Sequence, residues 1–285
     1  MELLVSVNKD NLDKYLDYTH SFLVGLKDFS VNYYELSLLE IKKLIEKYPN
    51  ISLFVSINKN IFNSDLEELE NNLLELSKLP IKGVLFYDLS ILSIVNRLGL
   101  NLDLCYHQTH MVTNYNICNY YYDLGVKYAY PATEITASEI QEISNKSNIS
   151  LMTYIIGHPI ISHSKRKLVS NYLEYNQEES LKSVHELMEK NQENSYLIKE
   201  NKIGTDILTG SILNGTKAFL LLKDNISYAI LDNQLIDDEI FFQILSLYRL
   251  YLNLEIDSNT LEDKIEDLIG ADTGFFFKKT IYKVK

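Results

Sequence analysis

Residues 84–106, VLFYDLSILSIVNRLGLNLDLCY, carry the pattern that decides the fold. The apolar run at residues 84–87 predicts a buried strand, and the following residues predict a helix that stops at Gly99. Glycine often ends a helix because it adopts the left-handed conformation without steric cost. A second apolar run, residues 102–106, predicts the next buried strand. Strand, helix and strand in this order indicate parallel strands connected by a crossover helix.

The same alternation extends over most of the chain. Further apolar runs predict strands at residues 3–7, 22–25, 51–57, 126–130 and 149–156. The segments between them predict helices, with one at residues 11–18, one carrying Leu38, Ile41, Ile45 and Tyr48, and capping boxes at 64–67 and 136–139. Seven or eight such units in about 230 residues favour a closed (β/α)8 barrel over an open doubly wound sheet. No GxGxxG or Walker-type loop follows the first strand, which argues against the open nucleotide-binding alternative.

Two regions interrupt this alternation. Residues 158–195 are polar, with helical patches and no strand, and they predict a long loop after strand seven. Such loops extend from the end of a barrel at which active sites lie. Residues 215–231 are ambiguous, since they fit either a hairpin around Asp224 and Asn225 or a helix followed by a strand at 227–231.

The division into domains follows from the last predicted strand. Residues 1–233 are assigned to the α/β barrel, and residues 234–285 to a C-terminal helical extension packed on it. Within that extension, residues 237–268 predict two helices, and residues 275–277 (Phe-Phe-Phe) are expected to pack back onto the barrel.

The composition excludes several classes of protein. Apolar residues make up 46% of the chain, which is enough for a large core. Lys plus Arg number 27 and Asp plus Glu 39, so the net charge of 27 − 39 = −12 argues against general nucleic-acid or membrane binding, though not against a local basic face. No apolar run is long enough to span a bilayer, and residues 1–7 lack a signal-peptide pattern, so we expect a cytoplasmic protein without membrane association.

Polar residues directly after the predicted strands are the candidates for chemistry, because in a barrel these positions converge on one mouth. The mouth would collect Tyr87, Asp88, His107, Gln108, Thr133, Glu134, Gly157 and His158, and also Asp232 if the last strand is correct. We predict Glu134, His158 and His107 as the catalytic residues, acting in acid–base chemistry. The alternative is that they are ordinary polar loop residues bonded at strand ends.

A metal site is a second possibility for the same region. His107, His110, His158 and His163 follow strands five or seven, and with Glu134 they offer imidazole and carboxylate ligands. The chain has no HExxH motif or comparable helical ligand spacing, so we predict no protein-bound metal.

The two cysteines, Cys105 and Cys118, are too few for a disulfide scaffold or a four-cysteine metal site. Cys118 lies at the start of a predicted helix, where a thiol pKa is lowered and a nucleophilic role is conceivable. We nevertheless expect a small buried residue there. No GxSxG elbow supports a serine hydrolase.

One compact basic cluster, residues 164–167 (Ser-Lys-Arg-Lys), lies in the long loop over the mouth. Lys278, Lys279, Lys283 and Lys285 add a basic C-terminus. Together with tyrosines at 115, 120, 121, 122, 172 and 175 these residues suggest a local RNA-binding face. The alternative is a charge run that is simply solvated.

Several blocks of sequence resemble peptidase family U32, the collagenase-like peptidases, and in particular its short members from Firmicutes. The blocks are TNYNICNYYYDLGVKYAYPATEIT (113–136), YIIGHPIISHSKRKLVSNYLEY (154–175), GTDIL (204–208), YAILDN (228–233) and DTGFFFKKTIYKVK (272–285). The resemblance implies a barrel-like α/β fold and favours helix then strand for the ambiguous stretch. It also implies substrate-binding roles for Lys165, Arg166, Asn171, Tyr172 and Asp232. Glu134 matches the family's glutamate.

The chain also departs from the family pattern. Ile160 and Lys167 stand where the family signature has cysteines, Lys165 replaces a glycine, and Thr133 replaces an arginine. The family's His-Gly pair is Ile-Gly here, with a histidine displaced to His158. Family members that hydroxylate tRNA wobble uridine or ubiquinone precursors carry an iron–sulfur cluster on four cysteines. We therefore expect no such cluster, and no other cofactor is evident.

The resemblance implies a part in prephenate-dependent 5-hydroxyuridine formation on tRNA. Loss of the cluster cysteines then implies an accessory or cluster-less subunit that works with a second, Cys-containing U32 protein. Two alternatives remain open. One is a collagenase-like peptidase that uses His107, His158 or Glu134, with or without the assistance of a metal ion. The other is a non-catalytic binding barrel.

Overall fold

The computed structural model describes residues 1–9, 11–180, 182–188 and 195–278. Its strands, in chain order, are β1 (Glu2–Ser6), β2 (Ser21–Leu26), β3 (Glu35–Leu36), β4 (Ser52–Ile57), β5 (Gly83–Phe86), β6 (Leu104–Tyr106), β7 (Tyr128–Ala129), β8 (Ser150–Gly157), β9 (Ile160–Ser164), β10 (Val184–Met188), β11 (Ser195–Glu200), β12 (Thr205–Thr209), β13 (Leu213–Asn214) and β14 (Tyr228–Asp232).

Among these described strands, eight parallel ones form the order β1-β14-β8-β7-β6-β5-β4-β2, and β1 also pairs with β2. The sheet therefore closes on itself. The predicted TIM-barrel-like α/β fold is confirmed, and the strands lie within about three residues of the predicted runs. The alternation of buried apolar strands with helices was informative because both faces of a barrel strand are covered.

The helices are α1 (Leu38–Lys47), α2 (Leu66–Leu76), α3 (Leu89–Leu98), α4 (Tyr115–Asp123), α5 (Ala137–Lys146), α6 (Leu168–Asn176), α7 (Thr216–Leu222), α8 (Asp238–Leu252) and α9 (Ser258–Ile269). Gly99 ends α3 in the left-handed conformation, with φ of 63°, as predicted. The capping box of Thr136 and Glu139 forms at the start of α5. The ambiguous stretch is a helix, α7, followed by the strand β14.

Two local predictions were wrong. Residues 11–18 form hydrogen-bonded turns and not a helix, and Tyr15 is fully buried there against Phe22 and Phe242. The capping box at residues 64–67 does not form, because a 3₁₀ turn (Asn63–Asp65) precedes α2. In that turn the Asp65 carboxylate instead accepts a 3.0 Å hydrogen bond from the backbone N–H of Phe62.

The expectation of no strand within residues 158–195 was also wrong. β9 and β10 lie in this region, and they belong to a four-stranded antiparallel sheet of order β10-β11-β12-β9. The side chains of β9 and β10 are half-buried or exposed. A strand whose two faces are both partly polar lacks the apolar run or strict alternation that predicts a strand, and its pairing depends on partners distant in sequence.

This antiparallel sheet, here called the inserted sheet, lies over one side of the barrel mouth. β9 follows directly after barrel strand β8, and Pro159 and Ile160 line a cavity together with barrel residues. Lys199 of β11 donates a 3.4 Å hydrogen bond to Asn32, in the connection between β2 and β3. The insertion thus positions side chains of β9, β11 and β12 above the strand ends.

After the last barrel strand the chain forms α8 and α9, the two helices predicted for residues 237–268. Phe241, Tyr248 and Ile265 are fully buried in the same core cluster as the barrel residues. Phe276 is buried against the body as expected, whereas Phe275 and Phe277 are 44% and 49% exposed. None of the helices in the described ranges has the length and apolar character needed to cross a bilayer.

Candidate functional site

The interior of the barrel changes from apolar to polar toward the carboxyl ends of its strands. Lower in the barrel, Phe54, Tyr128 and Tyr228 form a cluster of edge-on rings with centroids 5.1 to 5.9 Å apart. Alternate residues of a strand point to the same side, so Ser56 and Asp232 face the interior above these rings. Asp232 is thus a buried carboxylate on the floor of the mouth, with 2% of its surface exposed.

Asp232 is held by two donors. The Tyr154 hydroxyl donates a 2.8 Å hydrogen bond to Oδ2, and the backbone N–H of Gln234 donates a 3.1 Å bond to Oδ1. Burial raises the pKa of Asp232 from 3.8 to about 6, although these hydrogen bonds and the nearby charge of Lys199 favour the ionised form. The group therefore titrates close to neutral pH, as suits an acid–base residue.

Three tyrosines lie near this carboxylate, and a histidine packs against two of them. Burial, and then the charge of Asp232, hold the pKa values of Tyr33 and Tyr130 well above the usual range, so both phenols stay protonated and can donate hydrogen bonds. The ring of His107 packs edge-on against Tyr130, with centroids 4.5 Å apart. Burial lowers the pKa of His107 from 6.5 to about 4, so its ring is neutral at physiological pH.

Several buried polar atoms around the mouth have no hydrogen-bond partner within the described protein. They include His107 Nδ1, Thr153 Oγ1 and Asp206 Oδ2. Buried polar groups in folded proteins are nearly always paired with protein or water. These atoms therefore mark the mouth as a place for ordered water or for the polar atoms of a ligand.

A cavity of about 260 Å³, here called the mouth cavity, opens above this layer. His107, His110, His163, Asn58, Asn60 and Tyr87 supply its polar lining, and Ile160 and Ile161 of β9 bound it from the inserted sheet. Ligand sites are typically concave, with a few convergent polar groups. The mouth cavity has this character.

Two histidines of the mouth cavity are each paired with a carboxylate. His163 Nδ1 lies 2.7 Å from Oδ1 of Asp206, which is fully buried, and these residues face each other across β9 and β12. His110 Nδ1 lies 3.0 Å from Glu134 Oε1 at a half-exposed position. Because a carboxylate accepts, each pair favours the Nδ1–H tautomer and leaves Nε2 available to accept a proton.

A second cavity, of about 140 Å³, lies beside the first and shares His110, Ile160 and Ile161 with it. Glu134, Tyr154 and Phe276 are among its lining residues. His110 therefore lies between two of the three predicted catalytic residues. It lines the mouth cavity together with His107, and it pairs with Glu134 in the second cavity.

His158 is positioned differently. It is buried, its Nδ1 lies 2.9 Å from the carbonyl oxygen of Thr209, and burial lowers its pKa. It lines neither of the two cavities. The histidine at this strand end thus anchors β8 to the end of β12, and its predicted catalytic role stays a prediction.

Comparison with known protein families finds a match over nearly the whole chain. The model of the family described as Peptidase family U32 matches residues 9–282. The chain belongs to peptidase family U32. The match begins after β1 and includes the other seven barrel strands, the inserted sheet and the helices that follow the barrel.

Two curated relatives of this U32 chain come from Bacillus subtilis (strain 168). The "tRNA hydroxylation protein P2" is 26% identical over 286 residues, which cover 92% of each chain. The "tRNA hydroxylation protein P1" is 24% identical over 149 residues, which cover 52% of this chain and 35% of that protein. Among solved structures, "The Structure of the U32 Peptidase Mk0906" is 12% identical, with a TM-score of 0.49 over 81% of this chain and 92% of that one.

The U32 residues predicted to bind substrate divide into two groups. Asp232 lies inside the barrel, as described above. Lys165 and Arg166, in the connection between β9 and α6, and Asn171 and Tyr172, on α6, are exposed, with Tyr172 at 62%. Of these, Lys165 is nearest the mouth, because it lines a cavity together with His163. Of the predicted basic C-terminus, Lys279, Lys283 and Lys285 lie outside the described residues.

The residues present do not fit the iron–sulfur cluster of other U32 members. Cys105 on β6 and Cys118 on α4 are both fully buried, and burial raises both thiol pKa values, that of Cys118 to about 12. At two positions where the family has cysteines, Ile160 lines the cavities and Lys167 is exposed. A cluster needs four thiolates. The described ranges also contain no group of three or more His, Cys, Asp or Glu residues placed to hold a metal ion.

Sequence reasoning missed three parts of the site. Tyr33 comes from a connection without any motif, and Asp206 has no motif of its own within the block at 204–208. His163 is one of four histidines that follow strands five or seven, and the sequence does not single it out as a site residue. The pairing of His163 with Asp206 depends on β9 and β12 being adjacent, which no local pattern indicates.

Proposed function

We propose that this chain takes part in the 5-hydroxylation of wobble uridine in tRNA, as an accessory or cluster-less subunit. The observation that carries the proposal is the alignment over 92% of both chains with the tRNA hydroxylation protein P2. An alignment that covers 92% of each chain includes most of the barrel and most of the inserted sheet. The alignment supports a shared role in tRNA hydroxylation for this chain and protein P2 more strongly than the family name supports a peptidase activity.

The site supplies chemistry that suits this role. The mouth cavity brings His110 and His163, each with a carboxylate partner, next to the neutral ring of His107. Hydroxylation at carbon 5 of uridine exchanges the C5–H bond for a C5–OH bond, which is a two-electron oxidation. The hydroxyl group and the oxidising equivalents come from a co-substrate outside this chain, and proton-accepting groups near the base would take up the proton that leaves carbon 5. Enzymes that modify a base hold it outside the stack in a fitted pocket. Tyr130, whose ring packs against His107 and whose phenol stays protonated, would donate a hydrogen bond to a carbonyl oxygen of such a base.

The partner is part of the proposal. The two buried cysteines cannot bind a four-cysteine cluster, so a redox step that depends on one falls to a second, Cys-containing U32 protein. The two curated relatives, named P1 and P2 and found in one organism, support the idea that U32 chains work together.

The test is nucleoside mass spectrometry of total tRNA from a strain that lacks the gene. We expect 5-hydroxyuridine and its derivatives to fall, and to return when the wild-type gene is restored. Unchanged 5-hydroxyuridine would refute the proposal. Full activity of the purified chain without a second U32 protein would refute the accessory role alone.

The peptidase and binding-barrel alternatives predict different outcomes. Cleavage of gelatin by the purified chain would support a peptidase, and persistence of that cleavage after chelation would exclude metal assistance. A deletion phenotype that Glu134→Ala and His107→Ala variants both rescue fully would favour a binding barrel.

A further inference from the structure

A third cavity, of about 320 Å³ and here called the basic pocket, lies next to the mouth cavity. Three lysines line it: Lys59 after β4, Lys165 after β9 and Lys202 after β11. The sequence cluster at 164–167 indicated only one of them. The fold brings the other two to the same place from distant positions in the chain.

The charges of the basic pocket do not cancel. Lys59 Nζ lies 3.4 Å from Asp65 Oδ2, and Lys202 pairs with Asp28. Lys165 has no carboxylate within ion-pair distance in the ranges that the structure describes, and its Nζ lies instead 3.5 Å from the centre of the Phe62 ring. Three cations and two anions leave one positive charge, in a chain whose net charge is −12. One phosphodiester group would neutralise it.

The basic pocket is continuous with the mouth cavity. Asn60 and His163 line both, so they form the boundary between them. On the outer side of the pocket, Phe62 is 45% exposed and offers an apolar ring beside Lys165. Lysines interleaved with an exposed aromatic ring are typical of surfaces that bind single-stranded nucleic acid, where bases stack and phosphates pair with cations.

We infer that the basic pocket binds a backbone phosphate of single-stranded tRNA, next to a nucleotide whose base enters the mouth cavity. This inference rests on the proposed role in tRNA hydroxylation. Lys165 and Lys202 contact the phosphate, and His163 stands between the phosphate and the base. The negative charge of the rest of the surface disfavours RNA elsewhere and so directs it to this site.

The experiment measures binding of a fluorescent anticodon stem-loop to the purified full chain by anisotropy, over a range of salt concentrations. The double variant Lys165→Gln and Lys202→Gln removes two of the proposed contacts. The matched control is Lys78→Gln and Lys146→Gln, which changes two exposed lysines that pair with Glu75 and Glu142. These lysines lie beyond the end of α2 and in the last turn of α5, at the opposite end of the barrel.

Each phosphate contact to a single strand contributes about 0.7 to the slope of log affinity against log salt. We expect the Lys165/Lys202 variant to bind more weakly and to lose about 0.7 from that slope, because both lysines contact the same phosphate, while the control keeps the wild-type slope. An unchanged slope and affinity would overturn the inference, and so would a wild-type chain that does not bind the stem-loop.

Failure of this inference is distinguishable from failure of the proposed function. If the gene deletion lowers 5-hydroxyuridine and the Lys165/Lys202 variant restores it fully, the role in hydroxylation stands and the phosphate site is refuted. If the deletion leaves 5-hydroxyuridine unchanged, the proposed function is refuted, whatever the chain binds.

Discussion

The hydroxyl group of Tyr154 donates a 2.8 Å hydrogen bond to Oδ2 of Asp232 on the floor of the barrel mouth. The two residues are on neighbouring strands, β8 and β14, and both are buried. This bond holds a carboxylate at the strand ends of a parallel barrel, the position at which barrel enzymes place their chemistry. Its consequences for stability can be measured.

Asp232 should make the protein less stable as pH rises from about 4 to 7. Its pKa in the folded protein is raised from 3.8 to about 6, so the folded state binds more protons than the unfolded state in this window. The stabilisation is present below pH 3.8 and is lost as pH rises through about 6. The variant Asp232→Asn removes this dependence. In urea unfolding, the free energy of unfolding of Asp232→Asn should rise by on the order of 3 kcal/mol relative to that of the wild type between pH 4 and 7. A difference between variant and wild type that stays the same at every pH would contradict the prediction.

His107 should remain neutral well below the pH at which an exposed histidine becomes charged. Burial lowers its pKa from 6.5 to about 4. The folded state then binds fewer protons than the unfolded state. The contribution of His107 to stability is therefore fully present above pH 6.5 and is lost as pH falls through about 4. NMR of the imidazole nitrogens should show no titration of His107 between pH 5 and 8. The spectrum of a His107→Gln variant assigns the signal, and a midpoint near 6.5 would refute the buried environment.

Asp206 should fix the tautomer of His163. A carboxylate 2.7 Å from Nδ1 accepts the proton of that nitrogen, so we expect the Nδ1–H form in the wild type and a mixture with the Nε2–H form in Asp206→Asn. Nitrogen chemical shifts measure the two forms. Since a positioned acid or base contributes about 10²–10⁴ to a rate, the same variant should restore little 5-hydroxyuridine to the deletion strain. Restoration to the wild-type level would exclude His163 as an acid–base residue.

Gly157 should not tolerate a side chain. Its φ is +140°, and a Cβ there would overlap the Tyr154 hydroxyl and lie 2.9 Å from Cβ of Asp232. The variant Gly157→Ala should therefore lose roughly 3 kcal/mol or more in urea unfolding. Gly125→Ala is the matched control, because Gly125 also has positive φ, at +88°, but has no neighbour within 4 Å of such a Cβ. The control should lose only about 1 kcal/mol. Equal losses would show that backbone strain alone is responsible.

The two cysteines should be inert in the folded protein. Both thiols are fully buried, and their raised pKa values disfavour the reactive thiolate. Ellman's reagent should label neither in buffer and both in urea. Labelling in buffer at a rate typical of free thiols would contradict the buried positions of Cys105 and Cys118.

Local patterns predicted most of the barrel because both faces of each barrel strand are covered. The apolar runs at residues 84–87 and 149–156 mark strands whatever their neighbours are, and a left-handed glycine ended α3 at Gly99 as the sequence indicated. The segment at 11–18 failed because its apolar residues serve the packing of Tyr15 rather than a helical face. In that segment tertiary contacts outweighed the helical spacing.

The amino-acid sequence by itself determined the alternation of strands and helices, the closed barrel, the family, and which polar residues end the strands. Only the tertiary structure decided which of those residues meet. It placed His107 in the mouth cavity with His163 and His110, gave His158 a backbone partner outside that cavity, and brought Lys59 and Lys202 beside Lys165. Backbone periodicity is a local property that neighbouring residues encode. The meeting of side chains from distant segments depends on the pairing of β9 with β12 in the inserted sheet, for which no local pattern exists.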